Sequence, residues 1–228
     1  MQLPVSHKIL NSQFWLSIDR TMFWEEEKAL IVSDLHFGKT GHFRKSGIAV
    51  PATVYKEDLQ RLVEQIQYFQ PKQLIIVGDM FHSHANRELE FFLKWRSDLP
   101  GINIRLIKGN HDILKVGWYA EAGIEISPQT HTVDQFHFVH DITDQIRSKE
   151  GFDVNTRSEN SYFFSGHIHP GIRIHGAGKQ SLCFPCFYFG KKFAVLPAFS
   201  RFTGVAIIYP EAEEQVFAIV HRELIQLQ

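Results

Sequence analysis

The feature that most constrains this chain is a recurring pattern in which a short apolar run ends in residues able to bind a metal ion. The run ALIVS (29–33) precedes Asp34 and His36, and the run LIIVG (74–78) precedes Asp79. Three further runs end in the same way, and the polar residues that follow them are Asn110, His111 and Asp112, then His140 and Asp141, then His167 and His169. Several of these runs also end in a glycine, which allows the backbone to turn sharply.

The spacing of apolar residues predicts an α/β fold. Segments 28–34, 72–79 and 102–112 are typical of buried strands. They alternate with segments 51–71, 86–99 and 113–123, where helical spacing or helix-stop residues predict helices. Beyond residue 124 most segments resemble strands, and segment 13–29 resembles a hairpin that could join a sheet. This order favours two packed sheets with helices outside, in a single domain spanning residues 1–228.

The ends of successive strands in such sheets share one edge, so these donors should converge there. Buried polar groups without partners are costly, and metal ions would satisfy them. Mixed nitrogen and oxygen donors without thiolate suit divalent manganese, iron or zinc. Seven donors are too many for one such ion but fit two ions that share a carboxylate.

Charge and composition exclude several other classes. The 24 basic and 25 acidic residues nearly cancel, so no overall field draws the chain to nucleic acid or to a membrane surface. The N-terminal residues lack the pattern of a signal peptide, and no apolar run approaches the roughly 20 residues of a membrane span. We therefore expect a cytoplasmic protein without a membrane partner. The two cysteines, Cys183 and Cys186, are expected to be buried apolar residues of a strand.

The ordered blocks DLH (34–36), GD (78–79), GNHD (109–112), His140 and GHIH (166–169) resemble the signature of calcineurin-like metallophosphoesterases. That resemblance implies a four-layer sandwich in which two mixed β-sheets pack face to face, with helices on the outside. It also implies two divalent ions, with Mn²⁺ expected first and iron or zinc as alternatives. One ion would be held by Asp34, His36 and His169. The other would be held by Asn110, His140 and His167, with Asp79 bridging the two.

A closer resemblance extends over most of the chain. The stretches SDLHFGKTGHFRKSGIAVP (33–51), GDMFHS (78–83) and LPAFSRFTG (196–204) are similar to the bacterial ligase-associated DNA-damage-response endonucleases. This implies a DNA or other phosphodiester substrate, and a functional association with a DNA ligase and a helicase. His82 departs from the broader family, in which many members carry an acidic residue at this place.

The chemistry expected of such a site is in-line attack by a metal-bridging hydroxide, because two cations lower the pKa of a shared water towards 7. His111 lies inside a motif but outside the ligand set, so we expect it to protonate the leaving group, with Asp112 orienting its ring. His42 and Arg44, on the loop after the first motif, are expected to bind substrate phosphates.

Two alternatives compete with a DNA endonuclease. The first is hydrolysis of a small substrate, by a phosphatase or by a nucleotide or cyclic-nucleotide hydrolase. The second is a catalytically inactive binding scaffold. Such scaffolds lose metal ligands or the leaving-group histidine, whereas this sequence keeps both.

Overall fold

Two β-sheets form the body of the protein. The computed structural model describes residues 3–39, 53–82, 87–97, 99, 101–143, 160–176 and 180–227. The strands of the first sheet lie in chain order and are β1 (Val5–Ile9), β2 (Ser12–Leu16), β3 (Met22–Trp24), β4 (Ala29–Val32), β5 (Gln73–Val77), β6 (Asn103–Ile107) and β7 (Ile124–Ser127). Pairing is antiparallel from β1 to β4 and parallel from β4 to β7. The predicted N-terminal hairpin is therefore confirmed as part of this sheet.

The second sheet is also mixed. Its strands are β8 (Thr130–Val133), β9 (Phe136–Val139), β10 (Tyr162–Ser165), β11 (Pro170–His175), β12 (Ser181–Phe189), β13 (Phe193–Val195), β14 (Ala206–Ile207), β15 (Gln215–Val220) and β16 (Glu223–Gln226). Their main order is β14-β11-β12-β13-β10-β9-β8, and β15 pairs with both β12 and β16. Strands β9, β10 and β13 are parallel neighbours.

Among the described residues, three helices lie between the parallel strands of the first sheet in the chain: α1 (Thr53–Phe69), α2 (Arg87–Ser97) and α3 (Val116–Glu121). Alternate strand residues point to opposite faces of a sheet. Leu30 and Leu74 pack on the helix-covered face, together with Leu62 and Ile66 of α1 and Phe92 of α2. The helices thus cover the outer face of the first sheet, as predicted.

The opposite face of the first sheet packs on the second sheet through a mainly aromatic core. Phe14 of β2 lies 5.5 Å from Trp24, 5.5 Å from Phe136 and 5.3 Å from Phe164, measured between ring centroids. Phe138 stacks on Phe164 at 5.2 Å. These buried rings hold the two sheets face to face, which confirms the predicted α/β sandwich and sets the carboxyl ends of β4–β6 beside those of β9 and β10.

Cys186 is buried, as expected, but Cys183 is exposed, so half of that prediction is wrong. Both cysteines lie on β12, and Cys183 pairs with Arg173 in the part of the strand whose side chains are mostly exposed. None of the described helices is long and apolar enough to span a membrane.

Candidate metal centre

The backbone of the two neighbouring loops after β4 and β5 is joined by hydrogen bonds. Asp34 N–H donates to Gly78 O at 3.1 Å, and His36 N–H donates to Asp79 O at 2.9 Å. The second sheet joins the same seam, because the backbone N–H of His167 donates to both carboxylate oxygens of Asp34, at 3.3 and 3.1 Å. The five strand ends thus meet at one edge of the sandwich.

Asp34, His36 and His169 form a first cluster, in which one candidate ligand atom from each residue lies within 4.8 Å of the others. His169 Nε2 is 3.3 Å from Asp34 Oδ1 and 3.4 Å from His36 Nε2. Asp34 and His36 are buried. This is the trio that the sequence assigns to one ion.

Asp79, His140 and His167 form a second cluster, again with candidate ligand atoms within 4.8 Å of one another. His140 Nε2 lies 3.5 Å from Asp79 Oδ1 and 3.2 Å from His167 Nδ1. Asn110 joins them, since its Oδ1 is 3.0 Å from His140 Nε2. All seven predicted ligand residues are therefore brought together, in the two predicted groups, while the bridging role of Asp79 stays a prediction.

The backbone of the site is held in an uncommon conformation. Positive φ angles occur at Asp34 (53°), His36 (50°), Asp79 (49°), His167 (62°) and His169 (52°), although none of these residues is glycine. Each such residue costs of order 1 kcal/mol or more, and residues of this kind cluster at functional sites. The strain persists because each of these loops is anchored by the regular strand that precedes it.

Glycines make room for the donors. A Cβ at Gly78 would lie 1.9 Å from His140 Nδ1, and one at Gly109 would lie 2.3 Å from Asp79 Oδ1. A Cβ at Gly166 would meet Asp34 Oδ2 at 2.6 Å. The three glycines that precede metal-binding motifs are therefore required by close approach.

The donor set fits divalent cations. In each cluster two imidazole nitrogens face one another beside a carboxylate. A single ring N–H can donate to only one of these acceptors, so ring protons alone leave some of the contacts unsatisfied. His36 Nδ1 is moreover a buried nitrogen without a hydrogen-bond partner among the described residues. Burial lowers the pKa of His36 to about 3, outweighing the opposing effect of Asp34. The ring is therefore neutral, as a metal ligand must be. Neutral imidazoles with carboxylate and amide oxygens suit borderline divalent ions, and the residues fit the pair of cations expected from the sequence.

Asp79 and His140 form a buried charge pair. Burial by itself would raise the pKa of Asp79, but hydrogen bonding and charge pairing with His140 hold this pKa at about 2. Burial would likewise lower the pKa of His140, but Asp79 raises it to about 9. In the metal-free protein His140 therefore carries a proton at neutral pH, which a bound cation would displace.

His111 lies beside the two clusters. Its side chain is 41% exposed, and its Nε2 is 3.9 Å from Asp79 Oδ2. Its backbone N–H donates to Asp79 Oδ1 at 2.9 Å, which fixes the loop relative to the carboxylate. The His82 ring lies 4.2 Å from the His111 ring and 5.5 Å from that of His36, so His82 lines the site.

The expected contact between Asp112 and the His111 ring is corrected by the structure. One oxygen of the buried Asp112 carboxylate accepts the Phe81 N–H at 3.0 Å, and the other accepts the Gly109 N–H at 2.9 Å. Burial raises the pKa of Asp112 to about 6 against the effect of these two bonds. Asp112 therefore braces the loops that carry Asp79 and Asn110. Adjacent residues in a turn point in different directions, which is why sequence adjacency to His111 was misleading.

Asp141 follows β9 and His140, and its two carboxylate oxygens make different contacts. Its Oδ1 accepts the Thr143 N–H at 2.8 Å and so caps the end of the strand, while its Oδ2 lies 3.5 Å from His167 Nε2. The predicted substrate-binding residues His42 and Arg44 lie outside the described residues.

A buried ion pair behind the site was not identified from the sequence. Arg61 of α1 pairs with Asp58 at 3.0 Å, lies 4.1 Å over the Phe199 ring and donates to the Phe199 carbonyl. Phe199 N–H donates to Ser33 O at 2.8 Å, and the N–H of the next residue donates to Asp34 O at 3.2 Å. The pair thus supports the segment that holds the first metal motif. Charged residues on a surface helix give no sequence signal for such burial.

The chain is similar to known proteins in sequence and in structure. The family described as calcineurin-like phosphoesterase matches residues 28–179. The crystal structure of nuclease MPE from Pseudomonas putida is similar to this chain with a TM-score of 0.77 and 25% identity, over 95% of this chain and 96% of that chain. A protein of unknown function from Aquifex aeolicus has a TM-score of 0.43 and 18% identity, over 66% of this chain and 82% of that chain. No curated protein matches the sequence.

The space made by Gly78 provides a test of the centre. Gly78 has a φ of 80°, and the Cβ of Gly78→Ala would collide with the His140 ring. We expect the apparent Mn²⁺ affinity, measured by isothermal titration calorimetry, to fall about 10- to 100-fold. This is the loss typical of changes to residues that hold a metal ligand in position.

Gly117→Ala is the matched control, because a Cβ at Gly117 meets nothing within 4 Å. This variant should bind Mn²⁺ like the unmodified protein. Circular dichroism would confirm that both variants are folded. Undiminished Mn²⁺ affinity in folded Gly78→Ala would show that His140 is not a ligand.

Proposed function

The chain belongs to the calcineurin-like phosphoesterase family and is a metal-dependent phosphoesterase, and we propose that it is a two-metal phosphodiesterase that cleaves DNA. The observation that carries this proposal is the pair of adjacent donor clusters, Asp34–His36–His169 and Asp79–His140–His167, at a single edge of the sandwich. Two such clusters, completed by Asn110, provide separate places for two cations.

The fit of these residues to cations is supported by His36, whose ring is neutral and whose buried Nδ1 has no hydrogen-bond partner among the described residues. When bound, two divalent ions would activate water and offset the charge that builds up on the phosphoryl group during in-line displacement. We propose Mn²⁺ as the physiological ion, with iron or zinc as alternatives. Asp79 is proposed to lie between the two ions, because it belongs to the second cluster and its charge also acts on His36 of the first.

His111 is proposed as the general acid. It is partly exposed to an approaching substrate and lies beside both clusters. Its role is to donate a ring proton to the leaving alkoxide oxygen, which is a poor leaving group unless protonated. The Asp79 carboxylate holds the backbone of His111, and Asp112 braces the same turn through Gly109, so both are positioning groups for the acid.

DNA as the substrate is supported by similarity to a nuclease over almost the whole chain and by the sequence stretches shared with the DNA-damage-response endonucleases. His42 and Arg44 are proposed to contact phosphates, and a ligase and a helicase are proposed as functional partners in a cytoplasmic repair process. With a net charge of only −1, the chain must hold a polyanion through local groups, so its binding should be sensitive to salt.

A substrate comparison tests this proposal directly. With Mn²⁺ present, we expect turnover of labelled oligonucleotides and of bis-p-nitrophenyl phosphate, and little turnover of p-nitrophenyl phosphate. Asp79→Ala should abolish turnover of the two diesters. A strong preference for the monoester would instead support the phosphatase alternative, and no turnover of any substrate by metal-loaded protein would support the scaffold.

The role of His111 can be separated from metal binding by the choice of leaving group. His111→Ala should slow oligonucleotide cleavage about 10²- to 10⁴-fold, since the DNA alkoxide needs a proton. Hydrolysis of bis-p-nitrophenyl phosphate should change little, because p-nitrophenolate leaves without one. Equal losses on both substrates, measured as kcat, would contradict a general-acid role.

A further inference from the structure

A groove at the edge of the second sheet extends away from the candidate metal centre. It has a volume of about 260 Å³ and lies between strand β11 and the segment that continues from β14. Ile172, Ile207 and Pro210 give it apolar walls, while Arg173, His175 and Tyr209 supply polar or aromatic groups. The proposed function assigns no role to any of these residues.

The groove is structurally continuous with the candidate metal centre. Strand β11 begins at Pro170, directly after His169, and Ala206 N–H donates to His169 O at 2.9 Å. The two walls run parallel, with Pro170 paired to Ala206. At about 3.3 Å per residue, Arg173 is about 13 Å along the strand from His169, within reach of a substrate that also contacts the ions.

The lining residues match a single nucleic-acid strand. Tyr209 is 83% exposed. Exposure of a large aromatic ring to water is unfavourable, and it leaves a face of the Tyr209 ring open for stacking with a base. Arg173 and His175 are two residues apart on one strand, so they share a side of it. Within the part of the chain that the structure describes, no carboxylate forms an ion pair with Arg173, so its guanidinium is available to a phosphate.

In the acidic turn after Pro210, the Glu214 carboxylate accepts hydrogen bonds from the Tyr188 hydroxyl and from the Glu211 N–H. These bonds fix its position but leave its negative charge, so the phosphate contact is assigned to Arg173 on the other wall of the groove. A stacking platform beside a cationic side chain is the combination that single-strand-binding proteins use. A double helix would offer no free base face to Tyr209.

We propose that this groove is a binding site for a single nucleic-acid strand, in which Tyr209 stacks on a base and Arg173 contacts a phosphate a few nucleotides from the bond that is cleaved. This proposal rests on the proposed function, because it takes the metal centre as the place of cleavage. It also predicts a preference for unpaired strands of at least several nucleotides over very short substrates.

The test measures binding without cleavage. A fluorescein-labelled oligothymidylate of roughly 12 nucleotides, within the usual range for single-strand sites, is titrated with Asp79→Ala protein and followed by fluorescence anisotropy. Adding Tyr209→Ala to this background should raise the Kd at least about fivefold, the lower limit for loss of one stacked base. Arg173→Ala should also raise the Kd and reduce its dependence on salt.

Two controls make the result specific. Tyr209→Phe keeps the ring and should keep the affinity. Tyr68→Ala removes another exposed tyrosine, on α1, and should leave the Kd unchanged. Unchanged affinity in both Tyr209→Ala and Arg173→Ala would overturn the proposal and leave the groove to an extended peptide, the other ligand that a sheet edge accepts.

Failure of this inference can be distinguished from failure of the proposed function. If the unmodified protein cleaves oligonucleotides but the groove variants bind them normally, only the groove assignment is wrong. If Tyr209→Ala weakens binding although the unmodified protein cleaves no oligonucleotide, the groove assignment stands and the nuclease proposal is wrong.

Discussion

Buried nitrogen and oxygen donors crowd together where five strand ends meet, and the rest of the structure depends on satisfying them. Asp34 is fully buried, and its carboxylate lies against His169 Nε2 and the backbone N–H of His167. Asp79 is also buried and pairs with His140. Without cations, these groups have only one another and their own protons as partners. His140 therefore takes up a proton to pair with Asp79, and this pairing raises its pKa. A pair of divalent ions would satisfy the nitrogens and oxygens together.

The donors are brought together by side-chain packing between the two sheets, away from the candidate metal centre. Aromatic side chains such as Phe14 and Phe164 fix the distance between the two sheets, and so fix the distance between the loops of one sheet and those of the other. Left-handed backbone at Asp34 and Asp79 and close contact at Gly166 then turn the donors inward. The strain at these residues is offset elsewhere, since each loop is anchored by a regular strand and by bonds such as that from Asp34 N–H to Gly78 O.

Much of this arrangement could be predicted from the sequence, because its signals are local. The continuous apolar runs of β4 and β5 indicated strands buried on both faces, and the ordered motifs indicated which residues should meet at their ends. What could not be predicted depends on side-chain direction and on tertiary contacts. Asp112 follows His111 in the chain, yet its carboxylate turns away to the Phe81 and Gly109 amides. Arg61 has the sequence context of a surface helix but is covered by Phe199. The groove beside Tyr209 exists only because a short strand pairs with β11 at the sheet edge.

The account depends on two cations binding where the clusters lie, and anomalous diffraction from crystals grown with Mn²⁺ tests this most directly. It predicts two anomalous peaks about 3.5–4 Å apart, one beside Asp34, His36 and His169 and the other beside Asn110, His140 and His167. Peaks elsewhere, or none at this edge in crystals saturated with Mn²⁺, would contradict it.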